Sequence, residues 1–488
     1  MPITGTEIIR ALALEEVIPD STHNKSVAIV GGGIAGLAAA CALAGSGLQV
    51  HLIERRGYLG GRASSYLHPG VNEVIDNCQH VLFGCCTNLL AFYRRIGASE
   101  KIHWTSDMTM IEPGGQRSTL GPSPLPAPLH GLPRLLTSSA FTLQDKLSLA
   151  RAFSAILRFD PKNSPTESLA DWLARHRQSP GAVDRFWKLV IASALNADID
   201  QIAVPYAAKV IRELFMNSAE AGRMGINTVP LSELYAGVEG LLGKNGSSVH
   251  LNSNVERLEW NQQTSQWRVF ARTAAITADY LILALPFEAM AKLLPQMPPA
   301  AGVEALQRQI AHHQHWPICS AHLWFDREIT ELDHAVMLDR EVHWLFNRGK
   351  LQPWRKTEGS YIEVEVSASR IYAARERNEA IALTLRELAE FFPAVPSARL
   401  VKAALVKEVR ATFGVPPGID ACRPAAADSP WPHSFLAGDW THTGWPSTME
   451  SAARSGHLSA EALCGALGQK QKFLAPDLKP RGLMRFLG

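Results

Sequence analysis

Charged residues are scarce in this chain. Of its 488 residues, 48 are Lys or Arg and 46 are Asp or Glu, so 19% are charged and the net charge is +2. A chain without a basic surplus gives no reason to expect a nucleic-acid partner, which would need a clustered basic face. The length predicts two to four domains with a large core. Because 46% of the residues are hydrophobic, we also expect contact with an apolar ligand or surface.

Cysteine is scarce as well, and its spacing excludes two common uses. There are seven cysteines, with one adjacent pair at Cys85 and Cys86, and this irregular odd set is not a disulfide framework. No C-x2-C pair occurs, so no metal site is expected. The interpretation is a cytoplasmic protein. Acidic side chains within residues 1–23 are atypical of a secretory signal, so this stretch is interpreted as an N-terminal extension.

One long stretch, Val27–Ile53, contains no Asp, Glu, Lys or Arg. Its length alone would suit a transmembrane helix. Glycines at Gly31–Gly33 and Gly45–Gly47 divide it, however, into a short β-branched strand, an alanine-rich helix and a second strand. We therefore predict a buried βαβ unit at this place.

The glycines of this unit form a G-x-G-x-x-G pattern with an acidic residue 18 positions after the last glycine. In such a unit the first glycine permits the tight turn and the second lets the backbone approach a pyrophosphate. The third lets helix and strand pack closely, and the acidic residue binds a ribose. The predicted cofactor-binding residues here are Gly31, Gly33, Ile34, Ala35, Gly36, Glu54 and Arg55.

A second glycine motif follows the unit within Leu59–Ser64, where Gly60 and Gly61 precede Arg62. The order of glycine turn, acidic residue and Gly-Gly-Arg resembles the N-terminal signature of the FAD-dependent amine oxidase and phytoene desaturase superfamily. The resemblance implies FAD as cofactor, with Gly61 and Arg62 at the pyrophosphate. It also implies an α/β fold, in which a Rossmann-like FAD-binding domain carries a mixed α+β substrate or cap domain.

A segment near the C-terminus completes the resemblance. Ser434–Trp440 reads as a short buried strand that ends in Gly438 and Asp439, and the superfamily carries such a Gly-Asp element. Asp439 is expected to hydrogen-bond the ribityl chain of the flavin.

A helix is predicted directly after this segment. Ser447 and Glu450 have the spacing of a capping box and predict a helix that starts at Met449 and runs through Ala460. The N-terminus of this helix would face the flavin N1/O2 edge and stabilise the anionic reduced flavin.

Two further segments are similar to parts of the superfamily's FAD domain. Tyr235–Leu241 and Val249–Leu258 resemble its glycine-rich turn and strand, with Val255 at the adenine, and Tyr280–Pro286 is predicted as a strand of the same sheet. No second glycine fingerprint is present, so no NAD(P)H site is expected.

These segments imply a discontinuous FAD-binding domain. The predicted divisions are 1–23 as an extension, 24–105, 225–290 and 420–468 as the FAD domain, 106–224 and 291–419 as the substrate-binding cap, and 469–488 as a basic, apolar tail.

The cap is predicted to contain a proline-rich apolar loop at residues 121–136 and helices near residues 143–157, 169–176 and 207–217. A helical cap suits an elongated apolar ligand, while ordinary core packing is the alternative interpretation of its leucines. The basic, apolar tail has two equal interpretations, which are peripheral contact with the inner face of the cytoplasmic membrane and a frayed, solvated tail. For the helix predicted near residues 143–157, the apolar residues at helical spacing are Leu143, Leu147, Ala150 and Leu157.

The most distinctive short segment is Asp76–Cys86. It resembles the corresponding stretch of the squalene-associated members of the superfamily, the hydroxysqualene dehydroxylases. That resemblance implies hydride transfer from reduced FAD to a C30 isoprenoid, loss of the allylic hydroxyl as water, and squalene for hopanoid synthesis, with an unidentified electron donor. A general acid should protonate the leaving hydroxyl, and the candidates are His80 and Asp76.

Two other functions stay open at this point. A carotenoid desaturase or amine oxidase would transfer hydride in the opposite direction, from substrate to oxidised FAD, and the amine oxidase would line the flavin with aromatic residues. A non-catalytic isoprenoid carrier on the same fold would not need the Gly-Asp element or the flavin-facing helix.

Overall fold

The computed structural model describes residues 25–161, 166–243, 246–355 and 358–486. The predicted extension, residues 1–23, lies outside the described residues. The strands in the described ranges are β1 (Ser26–Val30), β2 (Gln49–Ile53), β3 (Ser65–His68), β4 (Glu73–Asp76), β5 (Leu82–Phe83), β6 (Ile102–Thr105), β7 (Met108–Ile111), β8 (Arg117–Leu120), β9 (Met224–Asn227), β10 (Ser248–His250), β11 (Val255–Asn261), β12 (Gln266–Ala271), β13 (Ala274–Ala278), β14 (Tyr280–Leu283), β15 (His315–Phe325), β16 (His334–Met337), β17 (Trp344–Asn347), β18 (Tyr361–Ser367), β19 (Leu400–Phe413) and β20 (Ser434–Leu436).

Helices connect these strands and cover the sheets. Two π-helical segments, Val183–Ile191 and Arg212–Met216, and several short 3-10 turns occur among them. The α-helices in the described ranges are α1 (Ile34–Leu43), α2 (Thr87–Arg95), α3 (Leu132–Thr137), α4 (Leu143–Leu157), α5 (Leu169–Arg175), α6 (Pro180–Ala182), α7 (Ala192–Leu195), α8 (Val204–Ile211), α9 (Leu231–Leu234), α10 (Gly237–Leu242), α11 (Phe287–Leu293), α12 (Val303–Ala311), α13 (Arg348–Leu351), α14 (Arg370–Ala374), α15 (Arg377–Phe391) and α16 (Met449–Ala466).

A five-stranded parallel sheet in the order β10-β2-β1-β14-β20 carries the predicted nucleotide-binding unit. Every residue of β1 is buried, and so is every residue of α1, because helices and further chain cover both faces of this sheet. The predicted strand, helix and strand between Val27 and Ile53 are confirmed as β1, α1 and β2. The predicted strands near Tyr280 and Ser434 are confirmed as β14 and β20, which place distant parts of the chain beside β1.

A seven-stranded sheet in the order β19-β15-β18-β17-β16-β7-β8 forms the base of the cap. Its pairs are antiparallel except for β16 and β7. α15 packs its apolar side, including Leu388 and Phe391, against this sheet. The segment 106–224 adds α3 to α8 and the π-helical turns, so the cap combines a sheet with helices, as the fold class predicted.

Two predictions for the segments assigned to the FAD domain are wrong in detail. Tyr235–Leu241 is not a glycine-rich turn, since most of it forms α10. Val249–Leu258 is not one strand, because it contributes to β10 in the parallel sheet and then to β11 in a separate three-stranded sheet. A turn at Asn252 and Ser253, whose backbone N–H groups donate to the carbonyls of Arg56 and Glu54, separates the two strands.

The leucines of the cap also differ from expectation. The proline-rich stretch 121–136 ends in a 3-10 turn and α3 and is not a loop throughout. The predicted helix at 143–157 is confirmed as α4, but Leu143 and Leu147 are 72% and 60% exposed, so they are not core residues. Both lie on the outer face of α4, whereas Leu149 on the inner face is fully buried.

The C-terminal tail is not frayed within the described residues, which contradicts one of the two interpretations. The Ala475 N–H donates to Asn88 on α2, and the Leu483 N–H donates to the Ala127 carbonyl in the cap. Met484 is buried there. None of the helices in the described ranges is both long and apolar enough to cross a membrane.

Candidate active site

The glycine turn between β1 and α1 is built by close backbone approaches. A Cβ atom on Gly36 would lie 1.9 Å from the Gly31 carbonyl oxygen, and Gly31 itself has φ +113°. A Cβ atom on Gly33, by contrast, would meet nothing closer than Gly61 Cα at 3.8 Å. The first and third glycines are therefore required by the fold, while the second leaves open space where a phosphate would lie.

The start of α1 fits an anion. Gly33 is the N-cap, no side chain caps the helix, and its first turn carries no acidic residue. Backbone N–H groups at a helix N-terminus attract phosphate oxygens. The Gly-Gly-Arg segment lies beside this turn, since the Gly60 N–H donates to the Gly32 carbonyl at 2.8 Å. The structure thus brings both predicted phosphate motifs together.

Glu54 lies at the end of β2, buried beside the glycine turn. Its carboxylate accepts the Gly32 N–H at 2.7 Å and the Arg56 N–H at 2.8 Å, one on each oxygen. Each oxygen keeps a lone pair that could accept a ribose hydroxyl. Arg55 is exposed at the rim, and Val255 begins β11 two residues after Ser253, whose N–H donates to the Glu54 carbonyl. That Val255 contacts adenine stays a prediction.

Arg62 and Asp439 join the two halves of the predicted cofactor site. The Arg62 guanidinium donates to Asp439 at 2.5 Å, and the Ser447 hydroxyl donates to the other carboxylate oxygen at 2.5 Å. Burial alone would raise the pKa of Asp439, but the Arg62 charge and the Ser447 hydrogen bond outweigh it and hold that pKa below its usual value. The Asp439 carboxylate is therefore ionised and fixed next to Gly438 at the end of β20.

The helix after this element begins where predicted but is capped differently. Thr448 is the N-cap of α16 and accepts the Ser451 N–H at 3.1 Å, so the Ser447–Glu450 capping box is wrong. The Ser447 hydroxyl does not cap the helix, because it donates its hydrogen bond to Asp439. The Glu450 carboxylate instead accepts the backbone N–H groups at the start of α2, with Leu89 at 2.8 Å, and pairs with Arg454. Glu450 thus ties the start of α2 to α16.

A cavity of about 580 Å³ opens between the N-terminus of α16 and the cap. This is within the usual size range of small-molecule sites. Met449 and Trp445 line one end of the cavity. The Gln79–Cys86 part of the Asp76–Cys86 segment and the seven-stranded sheet form one side, and the helical cap forms the rest. Most of the cap's lining residues are hydrophobic: Leu129, Leu132, Leu135, Phe153, Leu157, Phe186, Val190, Leu214 and Phe215.

Asp76 is not in the wall of this cavity. Its oxygens accept hydrogen bonds from Ser65 at 2.6 Å and Asn227 at 3.0 Å, and from the Arg348 guanidinium, which is itself buried. Burial would raise the pKa of Asp76, but Arg348 and these hydrogen bonds lower it. A buried, ionised and fully bonded carboxylate cannot donate a proton to a substrate, so the structure does not support Asp76 as the acid.

His80 does line the cavity, as a half-buried side chain. Its Nδ1–H donates to the Cys78 carbonyl at 2.8 Å. Burial lowers the pKa of His80, which keeps the ring neutral and leaves Nε2 as a hydrogen-bond acceptor. His80 therefore offers a hydrogen-bond acceptor, and no acidic proton, at the cavity wall.

A carboxyl group that sequence reasoning missed lies next to these residues. Glu365 on β18 lines the cavity and accepts the Gln79 N–H at 2.5 Å. Burial and the nearby Glu363 raise the pKa of Glu365 well above its ordinary value. Burial also raises the pKa of Glu363 to about 7. The β18 sequence alternates Glu with apolar residues, which is typical of a strand with one exposed face, yet every residue of β18 is buried.

The two π-helical segments were also missed. Phe186 and Val190 of the first and Leu214 and Phe215 of the second line the cavity. Such segments are frequent at functional sites, but no local sequence signal distinguishes them from an α-helix. In the described part of the chain, no three His, Cys, Asp or Glu side chains come together as metal ligands.

Comparisons with known proteins show the family of this chain. The family model described as "Flavin containing amine oxidoreductase" matches residues 34–464. A probable zeta-carotene desaturase from Synechococcus elongatus is 27% identical over 480 residues, covering 90% of this chain and 98% of that protein. A 15-cis-phytoene desaturase from the same organism is 26% identical, covering 91% of this chain and 97% of that protein.

Solved structures share the fold. A putative protoporphyrinogen oxidase from Exiguobacterium sp. has a TM-score of 0.64 at 17% identity and covers 91% of this chain and 99% of that chain. Putrescine oxidase bound to putrescine has a TM-score of 0.66 at 17% identity and covers 90% of this chain and 99% of that chain.

The chain belongs to the flavin-containing amine oxidoreductase family. It is an FAD-dependent oxidoreductase of the carotenoid desaturase and amine oxidase type, with FAD as its cofactor. Its residues fit that cofactor, since the uncapped start of α1, the open space at Gly33 and the linked Arg62 and Asp439 lie along one edge of the parallel sheet. A non-catalytic carrier is not supported by this membership.

Proposed function

We propose that this protein removes the allylic hydroxyl of hydroxysqualene reductively and forms squalene. The resemblance of the Asp76–Cys86 segment to that of hydroxysqualene dehydroxylases supports the substrate. The observation that carries the proposal is the meeting of this segment, through Gln79 and His80, with Glu365 in the wall of a mostly apolar cavity. Loss of hydroxide needs a proton, and a desaturase acting on a plain hydrocarbon has no such need.

The side chains of the cavity divide the work. When bound and reduced, FAD supplies a hydride. The apolar cap residues hold the isoprenoid chain and exclude water, while the Nε2 atom of His80 accepts the hydrogen of the substrate hydroxyl. Arg62 would bind the pyrophosphate, and the N-terminal end of α16 at Met449 would lie against the flavin ring and stabilise negative charge on it.

The test is a single-turnover experiment with the intact FAD-loaded protein. The enzyme is reduced without oxygen and mixed with hydroxysqualene, and flavin absorbance and products are followed together. We expect reoxidation of the flavin with one equivalent of squalene. A flavin that stays reduced beside unchanged hydroxysqualene would reject the proposal.

Desaturation is the second candidate, and the names of the relatives favour it. The chain is similar over its length to a zeta-carotene desaturase and a 15-cis-phytoene desaturase. Amine oxidation keeps one observation in its favour, because Trp344 and Trp445 place aromatic rings in the cavity wall. Oxidised enzyme mixed without oxygen with phytoene, zeta-carotene or putrescine separates these functions, because bleaching of the flavin by one of them would identify its substrate.

We also propose that the cavity is filled from a membrane surface. Eight exposed apolar side chains lie on α3, α4, the segment before α3 and the end of the tail, and we call them the apolar patch. Hydrogen bonds hold these parts together, since the Lys146 ammonium donates to the Leu136 carbonyl and the Leu483 N–H to the Ala127 carbonyl. The patch consists of Leu125, Leu129, Leu132, Leu136, Leu143, Leu147, Leu483 and Phe486.

The composition around the patch fits an anionic lipid surface. Exposed basic residues Arg134, Lys479 and Arg485 lie on the same segments. Leu129 and Leu132 belong both to the patch and to the cavity wall, so an isoprenoid could pass from lipid to cavity along apolar side chains. Basic plus apolar surface is the combination that binds peripheral proteins to membranes.

A further inference from the structure

Three carboxyl groups and one guanidinium share a buried cluster beneath the cavity. Asp76, Glu363 and Glu365 are the carboxyl groups, and Arg348 is the guanidinium. Arg348 donates to Asp76 directly, whereas its Nε atom lies 3.5 Å from Glu363. Arg348 is thus hydrogen-bonded to Asp76, lies at ion-pair distance from Glu363, and makes no ion pair with Glu365.

Arg348 and the more distant Arg355 both lower the pKa of Glu363, but burial outweighs them, and among the described residues no cation lies within ion-pair distance of Glu365. The next guanidinium, that of Arg355, donates to the Val74 carbonyl and lies 3.9 Å from Glu73. Burying an unpaired carboxylate costs several kcal/mol, so such a group keeps its proton. Glu363 accepts the Ser320 hydroxyl at 2.7 Å deeper in the sheet, whereas Glu365 reaches the cavity wall.

The surroundings of Glu365 are neutral on the other packed elements. Burial raises the pKa of Cys78 far above neutrality, His80 is held as a neutral ring, and burial lowers the pKa of His343 to about 4. The backbone N–H of His343 donates to the backbone carbonyl of Glu365 and not to the Glu365 side chain. The Glu365 carboxyl thus accepts one hydrogen bond, from the Gln79 N–H, in the wall of a mostly apolar cavity, and these surroundings favour its protonated form.

We propose that Glu365 is the general acid that protonates the leaving hydroxyl, a role that rests on the proposed function. In this step the allylic C–O bond breaks, and a C–H bond forms with a hydride from the reduced flavin, with loss of two electrons from the flavin. The departing oxygen takes the Glu365 proton and leaves as water. Glu365 remains as a carboxylate and regains a proton from solvent, and a two-electron donor outside this protein reduces the flavin for the next turnover.

The position of Glu365 beside His80 accounts for both groups that the sequence suggested as acids. His80 accepts the hydroxyl hydrogen and so turns the oxygen lone pairs towards the carboxyl group. Asp76 acts through Arg348, because it holds the guanidinium of this cluster away from Glu365. Asp76 is in this sense a positioning residue and Glu365 the catalytic one.

The experiment compares Glu365→Gln with Glu387→Gln. Glu387 is as buried as Glu365, and it likewise accepts one backbone N–H, from Val342 at 2.9 Å, but it lies on α15 away from the cavity. Glutamine keeps the shape and the acceptor oxygen and removes the acidic proton. We expect E365Q to bind FAD normally and to reoxidise reduced flavin with hydroxysqualene about 10²- to 10⁴-fold more slowly than wild type, and E387Q to react as wild type does.

Two further readouts separate an acid from a structural residue. The wild-type rate should fall tenfold per pH unit above the pKa of Glu365, and E365Q should lose this dependence. The wild-type minus E365Q infrared difference spectrum at pH 7 should show one protonated carboxyl group beyond Glu363, which both proteins retain, whereas wild type minus E387Q should show none. A folded E365Q that reacts within threefold of wild type, or whose protonated carboxyl band is as intense as that of wild type, would overturn the assignment of Glu365. Wild type that fails to react with hydroxysqualene would instead overturn the proposed function.

Discussion

At the residue scale, the cofactor site was predictable because its chemistry is carried by the backbone. Any residue larger than glycine at Gly31 or Gly36 would clash with the backbone. The fold therefore requires glycine at both positions, and the sequence shows it. Arg62 and Asp439 were predicted separately and meet in one ion pair. Glu365 was not predictable in this way, because its role depends on being packed against Gln79 from a segment 286 positions away.

Substitutions at Gly33 and Gly36 test whether the pyrophosphate of FAD lies at the glycine turn. Gly33→Ala leaves the protein unstrained, since its new methyl group has room, but the methyl occupies the space expected for pyrophosphate. We expect a folded protein with FAD affinity weakened by about 1–3 kcal/mol, or roughly 5- to 150-fold. Gly36→Ala places a methyl on the Gly31 carbonyl, so we expect loss of folded protein even without FAD.

Circular dichroism and FAD titration of the apoproteins measure these two outcomes independently. Gly240→Ala on α10 is the matched control, because a Cβ atom there meets nothing within 4 Å. If Gly33→Ala bound FAD as tightly as wild type, the predicted phosphate position would be wrong.

At the element scale, the local sequence pattern predicted where helices and strands form. It did not predict which face of an element is buried and which is exposed. The spacing of Leu143 and Leu147 predicts α4 correctly, but spacing cannot tell whether the apolar stripe meets a core or another apolar phase. Likewise the alternation in β18 predicts a strand, but not that its polar face is buried under a second domain. The helix α16 starts at Met449 as predicted, but its capping residue differs from the prediction, because the Ser447 hydroxyl hydrogen-bonds Asp439 and Thr448 becomes the N-cap.

The apolar patch gives a prediction at this scale. We expect wild type to sediment with vesicles that contain anionic lipid, and the double variant Leu143→Ser/Leu147→Ser to bind at least about 100-fold more weakly, since burial of each leucine contributes about 1.5–3 kcal/mol. Both side chains are exposed in the free protein, so its stability should change by less than about 0.5 kcal/mol per site.

Ile371→Ser is the control for this experiment. Ile371 is 73% exposed on α14 and lies outside the apolar patch, so its replacement should leave vesicle binding unchanged. High salt should weaken wild-type binding through the basic residues of the tail. Equal sedimentation of the double variant and wild type would exclude the patch as the membrane surface.

At the scale of the whole molecule, the parallel sheet joins strands from four separate stretches of the chain. Four of its five strands are short apolar runs that the sequence predicts, whereas β10 (Ser248–His250) is not such a run, and its bounds were predicted wrongly. The cap sheet carries β7 and β8 from one stretch and β15 to β19 from another. The order of the strands in this sheet cannot be read from the local sequence, because it depends on how faces of distant segments pack together.

Burial of titratable groups across the whole molecule leads to a pH-dependent stability. Burial lowers the pKa of His322 to about 3 and those of His343 and His457 to about 4. Burial likewise lowers the pKa of several other histidines from the ordinary value of 6.5: His51, His80, His130, His176, His250, His313, His315 and His334.

The direction of the effect follows from proton counts. Below pH 6.5 these histidines bind protons more readily in the unfolded chain than in the folded protein, so each lowers the free energy of unfolding as the pH falls. For the most buried of them, His322, His343 and His457, this loss is up to about 1.4 kcal/mol per pH unit. Glu363 and Glu365 act in the opposite direction, because their raised pKa values let the folded protein hold protons that the unfolded chain has lost. The histidines outnumber these carboxyl groups, so we expect stability to fall from pH 6.5 towards pH 4.

Urea unfolding of the FAD-loaded protein at several pH values between 7 and 4 measures this slope. The urea midpoint should decrease steadily as the pH falls. Glu365→Gln removes one opposing carboxyl group, so its midpoint should fall more steeply than that of wild type, while Glu387→Gln should follow wild type. A midpoint that is constant over this range, or an unchanged slope in folded E365Q, would show that these groups do not hold the protonation states that their burial dictates. The same variant thus reports the Glu365 proton through stability, independently of any substrate.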